Sequence, residues 1–285
     1  MTPIQYCYEK IKVSKSNFTW AFYFINKDRR DALISLYAFC REIDDIVDNT
    51  IDLEVATTKI NWWKIEIDRL FNATPQHPVT KSLSKSIQIF ELNKAYFIEM
   101  LDGMEMDLKF NRYESFKQLQ LYCYRVAGVV GILSAKILGF KNQGTLKYAH
   151  DLGIALQLTN IIRDVGEDAR KNRIYIPLDE LKQFNVSEDE ILKFRENKNI
   201  SNLLKHQIDR AETFYKSAYQ KIPKEDINSQ IPGLLMGKIY ETLLLEIKRD
   251  RPEQSLNSKV ILPPFRKILV ILVCFFKNKF QALSN

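Results

Sequence analysis

Residues 32–49, "ALISLYAFCREIDDIVDN", carry apolar side chains at Ala32, Leu33, Leu36, Phe39, Cys40, Ile43 and Val47. Steps of three and four predict a helix over Asp31–Val47 with one apolar stripe turned to a core. Asp28 is placed to cap it, and Asp31 falls in its first turn. Into this core helix the chain puts Asp44, Asp45 and Asp48. At about 100° per residue, Asp44 and Asp48 share a face with Tyr37 and Arg41, and Asp45 lies at the edge of that arc. Like charges four apart destabilise an isolated helix by about 0.2–0.5 kcal/mol, a sign that a bound cation would reverse.

A second segment, "LQLTNIIRDVGED" (Leu156–Asp168), follows the same logic. Asn160, Asp164 and Asp168 stand at i, i+4 and i+8, with Gln157 beside the row, among apolar Leu152, Leu156, Leu158, Ile161, Ile162 and Val165. Polar groups on a largely buried helix need partners. Two rows made only of oxygen ligands suit Mg²⁺, with Mn²⁺ as a substitute, whereas Zn²⁺ would call for His or Cys. The three histidines, His77, His150 and His206, are scattered. Because Mg²⁺ keeps waters and is shared with substrate phosphates, the rows predict a phosphate-bearing substrate in a helical cavity.

Around these segments the periodicity continues. Helices are expected near 51–71, 79–92, 94–108, 114–139, 143–167, 187–197, 200–221, 229–249 and 260–278, with a loop at 72–80 marked by Pro75 and Pro78. "KNRIYIPLDEL" (Lys171–Leu181) interrupts the pattern, since Pro177 disfavours helix before it. With no linker, composition shift or repeat, the reading is an all-α, single-domain helical bundle over residues 1–285.

The 285 residues are 46% hydrophobic and 27% charged, ordinary for a folded chain rather than a disordered one. The formal charge of +7 is spread among interleaved acids and bases, and no nucleic-acid-binding motif accompanies it, so nucleic acid is not an expected partner. Cys7, Cys40, Cys123 and Cys274 have no metal or disulfide spacing, and no signal peptide is evident. The expected location is the cytoplasm. Near the end, Ile268–Phe276 is an unbroken apolar run flanked by Arg266, Lys267, Lys277 and Lys279. It is far short of the roughly 20 residues that cross a bilayer. Two readings stay open for this basic-apolar segment near 260–280: a peripheral anchor on the inner membrane face, or a terminal helix packed on the body.

At these residues the chain resembles the squalene/phytoene synthase family of head-to-head prenyl diphosphate synthases. The resemblance runs from "SKSNFTWAFYFI" through "LYAFCREIDDIVD", "DGMEMDL", "YCYRVAGVVG" and "LGIALQLTNIIRDVGEDARKNRIYIPLDEL" to "PGLLMGKIYETLLLEI". Within the family the likeness is to the bacterial presqualene diphosphate synthases of hopanoid biosynthesis, on "SNF", "GEDARKNRIYIPLDELKQFNVSE" and "PGLLMGKIY". It implies an isoprenoid-synthase-type bundle around a deep apolar cavity, with Mg²⁺ held between Asp44, Asp45 and Asp48 on one side and Asn160, Asp164 and Asp168 on the other. Ser14, Lys15, Ser16, Arg41 and Arg163 resemble diphosphate-gripping positions. Tyr37, Tyr122, Gln157 and Tyr240 resemble polar positions around the reacting carbons, Tyr240 also at the diphosphate.

The implied reaction is a transferase step: two farnesyl diphosphates give presqualene diphosphate and free diphosphate. "RIYIP", with Arg170 and Lys171, is expected to form a flap, and Gly128 and Gly131 to make room for prenyl chains. NADPH is not expected to be required, and no G-x-G-x-x-G fingerprint is present. The alternatives are a phytoene or dehydrosqualene synthase, a full squalene synthase using NADPH, or a non-catalytic helical scaffold at the membrane.

Overall fold

A computed structural model describes residues 1–14 and 25–283, with side chains up to Val13 and from Ile25 to Val273. Among the described residues, eight helices form the body of the bundle. They are α1 (Pro3–Ser14), α2 (Lys27–Asn49), α3 (Leu53–Phe71), α4 (Pro78–Ile89), α5 (Lys94–Lys109), α8 (Gly144–Arg170), α11 (Lys198–Lys221) and α12 (Ile231–Arg249). Between α5 and α8 one longer helical run comprises α6 (Phe116–Cys123), a π-helical turn (Tyr124–Gly128) and α7 (Val129–Leu138). Two short helices, α9 (Leu178–Gln183) and α10 (Glu188–Leu192), two 3₁₀ turns (Lys224–Asp226 and Pro252–Leu256) and the terminal α13 (Pro264–Leu283) complete the described chain. There is no strand among the described residues, and the one isolated bridge pairs Arg112 with Ile174. The all-α expectation holds.

Local chemistry fixes the helix starts. Asn26, not Asp28, caps α2: its side chain accepts the Arg29 N–H, so the helix begins at Lys27 and Asp28 falls in the first turn. Asp52, Asn93 and Asn197 cap α3, α5 and α11 in the same way. The helix expected over 187–197 stops at Leu192, and α1 and α9 were not foreseen. The expected helix at 114–139 contains the π turn, which adds a residue to one turn and re-aims the side chains after it. This run is long and apolar enough to cross a bilayer, yet half of its apolar window is buried in the bundle, as befits a core helix.

The core has two main bodies. One joins α1–α5 and α7, where Phe39 meets Trp63 and Phe97 edge-on at 5.4 Å each. The other joins α6, α7, α8, α11 and α12. Helix α8 runs between α7 and α11. Its approach to α7 and the π turn is so close that a Cβ at Gly131 would lie 2.2 Å from the Ala149 carbonyl oxygen, and one at Gly153 2.4 Å from that of Ala127. Gly131 borders the internal cavity, but its missing side chain serves helix–helix contact rather than the room expected for it.

The loop at 72–80 is tied to α3 by Glu66, which is fully buried. Its carboxylate accepts the N–H groups of Gln76 and His77 at 2.7 and 2.8 Å and the Thr80 hydroxyl at 2.5 Å, and pairs with Arg69. Burial alone would raise its pKa, but these donors outweigh it and hold the carboxyl below its usual range. A depressed folded-state pKa contributes stability that is complete above the unfolded value of about 4.3 and is lost as pH falls through the folded one. Glu66→Gln is therefore expected to destabilise the fold by about 1.5–3 kcal/mol near neutral pH. Urea midpoints of variant and wild type should converge below about pH 4.

Candidate active site

Helices α2 and α8 face each other across a chamber of about 750 Å³, closed on its other sides by α5, the π turn and the segment after α8. Asp44 and Asp48 line it from α2; Asn160, Asp164 and Asp168 line it from α8. The walls are joined by Lys171, whose Nζ lies 2.8 Å from Asp48. Below the chamber runs an apolar tunnel of about 250 Å³. Tyr37, Cys40, Val126, Gln157, Asn160 and Tyr240 border both spaces and form the passage between them. A charged upper room thus opens into a greasy lower one, the shape a long apolar chain with an anionic head requires.

Asp45 stands apart. Its carboxylate turns to the far side of α2, where Lys10 Nζ lies 2.9 Å and Arg41 Nη2 2.7 Å away, and it borders a separate surface groove with Trp62 and Trp63. Asp45, expected as a metal ligand, does not border the chamber. One residue along a helix turns a side chain by about 100°, enough to take it out of the chamber.

The remaining acids crowd together. Burial, then the charges of Asp48 and Asp107, push the Asp44 carboxyl up to about 6 against the pull of Arg41. Burial, then Asp164 and Asp107, push Asp168 to about 7. Cations hold the rest: Arg41 Nη1 reaches Asp44 at 2.6 Å, Arg163 forks onto Asp164, and Lys259 bridges Asp164 and Glu167 at 3.0 and 2.7 Å. Tyr240 hydrogen-bonds to Arg163. Tyr122 is buried in the wall, stacked on Tyr175 at 5.3 Å. Gln157 accepts from Asn160 Nδ2 at 3.4 Å. Lys15 and Ser16, and the side chain of Ser14, lie outside the described residues.

Asp107 was missed. It sits on α5 at 7% exposure, accepts the Tyr175 hydroxyl, and lies 3.6 Å from Arg173. The signal was present: Phe97, Met100, Met104 and Asp107 step by three and four, so an acid occupies the apolar stripe of α5. Lys259 gave no comparable signal, coming from irregular chain beyond α12. The "RIYIP" segment, expected as a flap, packs as part of the chamber wall. Ile174, Tyr175 and Ile176 are buried, and the backbone N–H groups of Ile174 and Leu178 donate to Asn111 and Tyr113 carbonyls at 3.0 and 2.9 Å.

The chemistry of the donor set fits a hard divalent cation. All donors are oxygens, and Asn160 Oδ1 is buried with no hydrogen-bond partner among the described residues. No three His, Cys, Asp or Glu side chains among the described residues converge to hold an ion by themselves. A cation held by one or two carboxylates and completed by substrate phosphate and water matches that spacing.

The sequence model of squalene/phytoene synthases matches residues 11–266. The chain belongs to the squalene/phytoene synthase family. It is 34% identical to a phytoene synthase of Arthrospira platensis over 256 residues, which is 85% of this chain and 82% of that one. It is 33% identical over 257 residues to a chloroplastic phytoene synthase of an Oncidium hybrid cultivar, covering 88% of this chain and 62% of that one. The chain thus spans about three fifths of the length of that chloroplastic relative. A solved dehydrosqualene synthase in complex with ligand superposes with a TM-score of 0.86 at 26% identity, over 97% of this chain and 96% of the other. The squalene synthase HpnC of Alicyclobacillus acidocaldarius, at 24% identity and covering 87% of this chain and 93% of that one, shares the fold with a TM-score of 0.78. The all-α bundle of this family member is therefore the isoprenoid-synthase type.

Proposed function

We propose that this family member condenses two prenyl diphosphates head to head, with farnesyl diphosphate as substrate and presqualene diphosphate as product. The observation that carries the reading is the junction of the acid-lined chamber with the apolar tunnel. Mg²⁺ would be held by Asp44 and Asp48 on one wall and Asn160, Asp164 and Asp168 on the other, and when bound it supplies charge neutralisation of a diphosphate leaving group.

The side chains do the rest. Arg41 and Arg163, kept at the chamber by Asp44 and Asp164, are placed to donate to diphosphate oxygens. As the C–O bond of one substrate breaks, diphosphate leaves and an allylic cation remains. Tyr37, Tyr122 and Tyr240 line the chamber, where aromatic rings would stabilise that cation, and the apolar tunnel would exclude water from it. The double bond of the second chain attacks, and loss of one proton closes the cyclopropane. The departed diphosphate, held among the chamber cations, is the base at hand.

A second reading, phytoene synthase, is favoured by the curated relatives, which bear that name at 31–34% identity. Purified protein with Mg²⁺ and farnesyl or geranylgeranyl diphosphate, with and without NADPH, separates the readings by lipid analysis. A cyclopropyl diphosphate persisting as end product is the expected result. Phytoene would establish the second reading, and squalene formed only with NADPH would replace both.

Peripheral contact with an anionic membrane belongs to the same proposal. One face of α13 packs on the body through Val270 and Ile271, and Arg266 pairs with Glu246 at 2.7 Å. The other presents Phe265, Ile268, Leu269 and Leu272 to solvent, with Phe265 71% and Leu269 58% exposed. The two readings of this segment are thus two faces of one helix, and the basic residues around it favour anionic lipid. Phe265→Ser with Leu269→Ser is expected to weaken sedimentation with phosphatidylglycerol vesicles about tenfold or more. Equal sedimentation of variant and wild type would end the membrane reading.

A further inference from the structure

The far end of the tunnel has chemistry that the reaction leaves unused. From Gln157 at the passage, the lining of α8 runs back through Leu156, Leu152 and Ala149 to Tyr148. That is a depth of roughly 14 Å at the helical rise. Tyr148 is the lining residue of α8 farthest from the passage, is 1% exposed, and its hydroxyl has no hydrogen-bond partner among the described residues. Gly233, near the start of α12, also lines the tunnel, and a Cβ there would lie 3.1 Å from the Tyr148 hydroxyl oxygen. Gln230, one turn earlier, donates to the Gly139 carbonyl at 2.9 Å and ties the end of α7 to the start of α12.

A buried hydroxyl without a partner carries an uncompensated desolvation cost, and phenylalanine would fill nearly the same volume without it. A Cβ at Gly233 would require the hydroxyl to give by a few tenths of an ångström. Tyrosine and glycine are therefore matched at this spot, and what they face is tunnel space. We propose that Tyr148, seated against Gly233, is the chain-length gauge of the tunnel: its ring and hydroxyl form the surface on which the last isoprene unit of a bound chain ends. The inference rests on the reading that the tunnel receives a prenyl chain. A polar O–H at the end of an apolar slot also gives that last unit a weak donor for its terminal double bond, and gives any longer chain an obstacle to displace.

The test is competition among farnesyl, geranylgeranyl and geranylfarnesyl diphosphates, with consumption of each followed by mass spectrometry for wild type, Tyr148→Ala, Tyr148→Phe and Gly233→Ala. Tyr148→Ala is expected to shift preference toward the longer substrates by about tenfold or more, and Gly233→Ala to shift it toward the shorter ones. Tyr148→Phe keeps the length limit and changes affinity only a few-fold. Thermal melts identify folded variants, and if Tyr148→Ala does not fold, Gly233→Ala, which adds one methyl, decides alone. Unchanged preference in folded Tyr148→Ala or Gly233→Ala overturns the gauge while leaving the condensation reading intact. If wild type consumes none of the three substrates and its melting temperature moves with none of them, the condensation reading fails and the gauge falls with it.

Discussion

Asp168→Asn is expected to lower product formation by on the order of 10²–10³-fold while leaving the fold as stable as wild type or more so. The carboxylate sits beside Asp164 and Asp107, and burial followed by those like charges raises its pKa to about 7, with Arg173 and Lys171 only partly opposing them. Its charge is therefore a burden on the metal-free protein. The sign follows from linkage. A carboxyl whose folded pKa lies above its unfolded value of about 3.9 binds more protons in the native state between the two, so its contribution to stability falls as pH rises through that window. The variant should melt above wild type at pH 8, and the gap should narrow as pH falls and close below about pH 4. Added Mg²⁺ and inorganic diphosphate should raise the melting temperature of wild type more than that of the variant. Turnover of the variant within threefold of wild type would remove Asp168 from the machinery.

Asp107→Leu is expected to destabilise the protein by about 1–3 kcal/mol, the cost of leaving buried polar groups short of a hydrogen-bond acceptor. The groups that lose a partner are the Tyr175 hydroxyl and Arg173, whose side chain is 16% exposed and keeps Asp48 at 3.7 Å and the Val47 carbonyl at 3.4 Å. Product formation should fall with it, because Tyr175 and Tyr122 form one stacked wall of the chamber. A double-mutant cycle separates pairing from packing. Asp107→Leu with Arg173→Leu should be less destabilised than the sum of the single variants, since the double change leaves neither charge orphaned. Strict additivity in urea denaturation would show that the two charges do not depend on each other.

Much of this arrangement was legible before any coordinates. The rows Asp44/Asp48 and Asn160/Asp164/Asp168 each lie on one helix, and a step of four residues fixes their common face whatever else the chain does. The same rule located α2, α5, α8, α11 and α12 to within a few residues. It was less secure at the edge of an arc. Asp45 is one residue from Asp44, and whether it joined the row depended on Lys10 of α1 lying on the other side of α2. Gly131 likewise reads as spare room in isolation and becomes a contact only because the Ala149 backbone of α8 comes to it.

What the chain order determined by itself is direction about each helix axis: which side chains point together, and that acids were set among apolar neighbours on two core helices. What the packed bundle alone decided is company. It brought Asp107, Tyr175, Arg173 and Lys259 to the same chamber and placed Tyr148 against Gly233 at the end of the tunnel. Periodicity encodes an angle around one axis, whereas a site needs the distances between several axes, and those are set by how whole helices fit against one another.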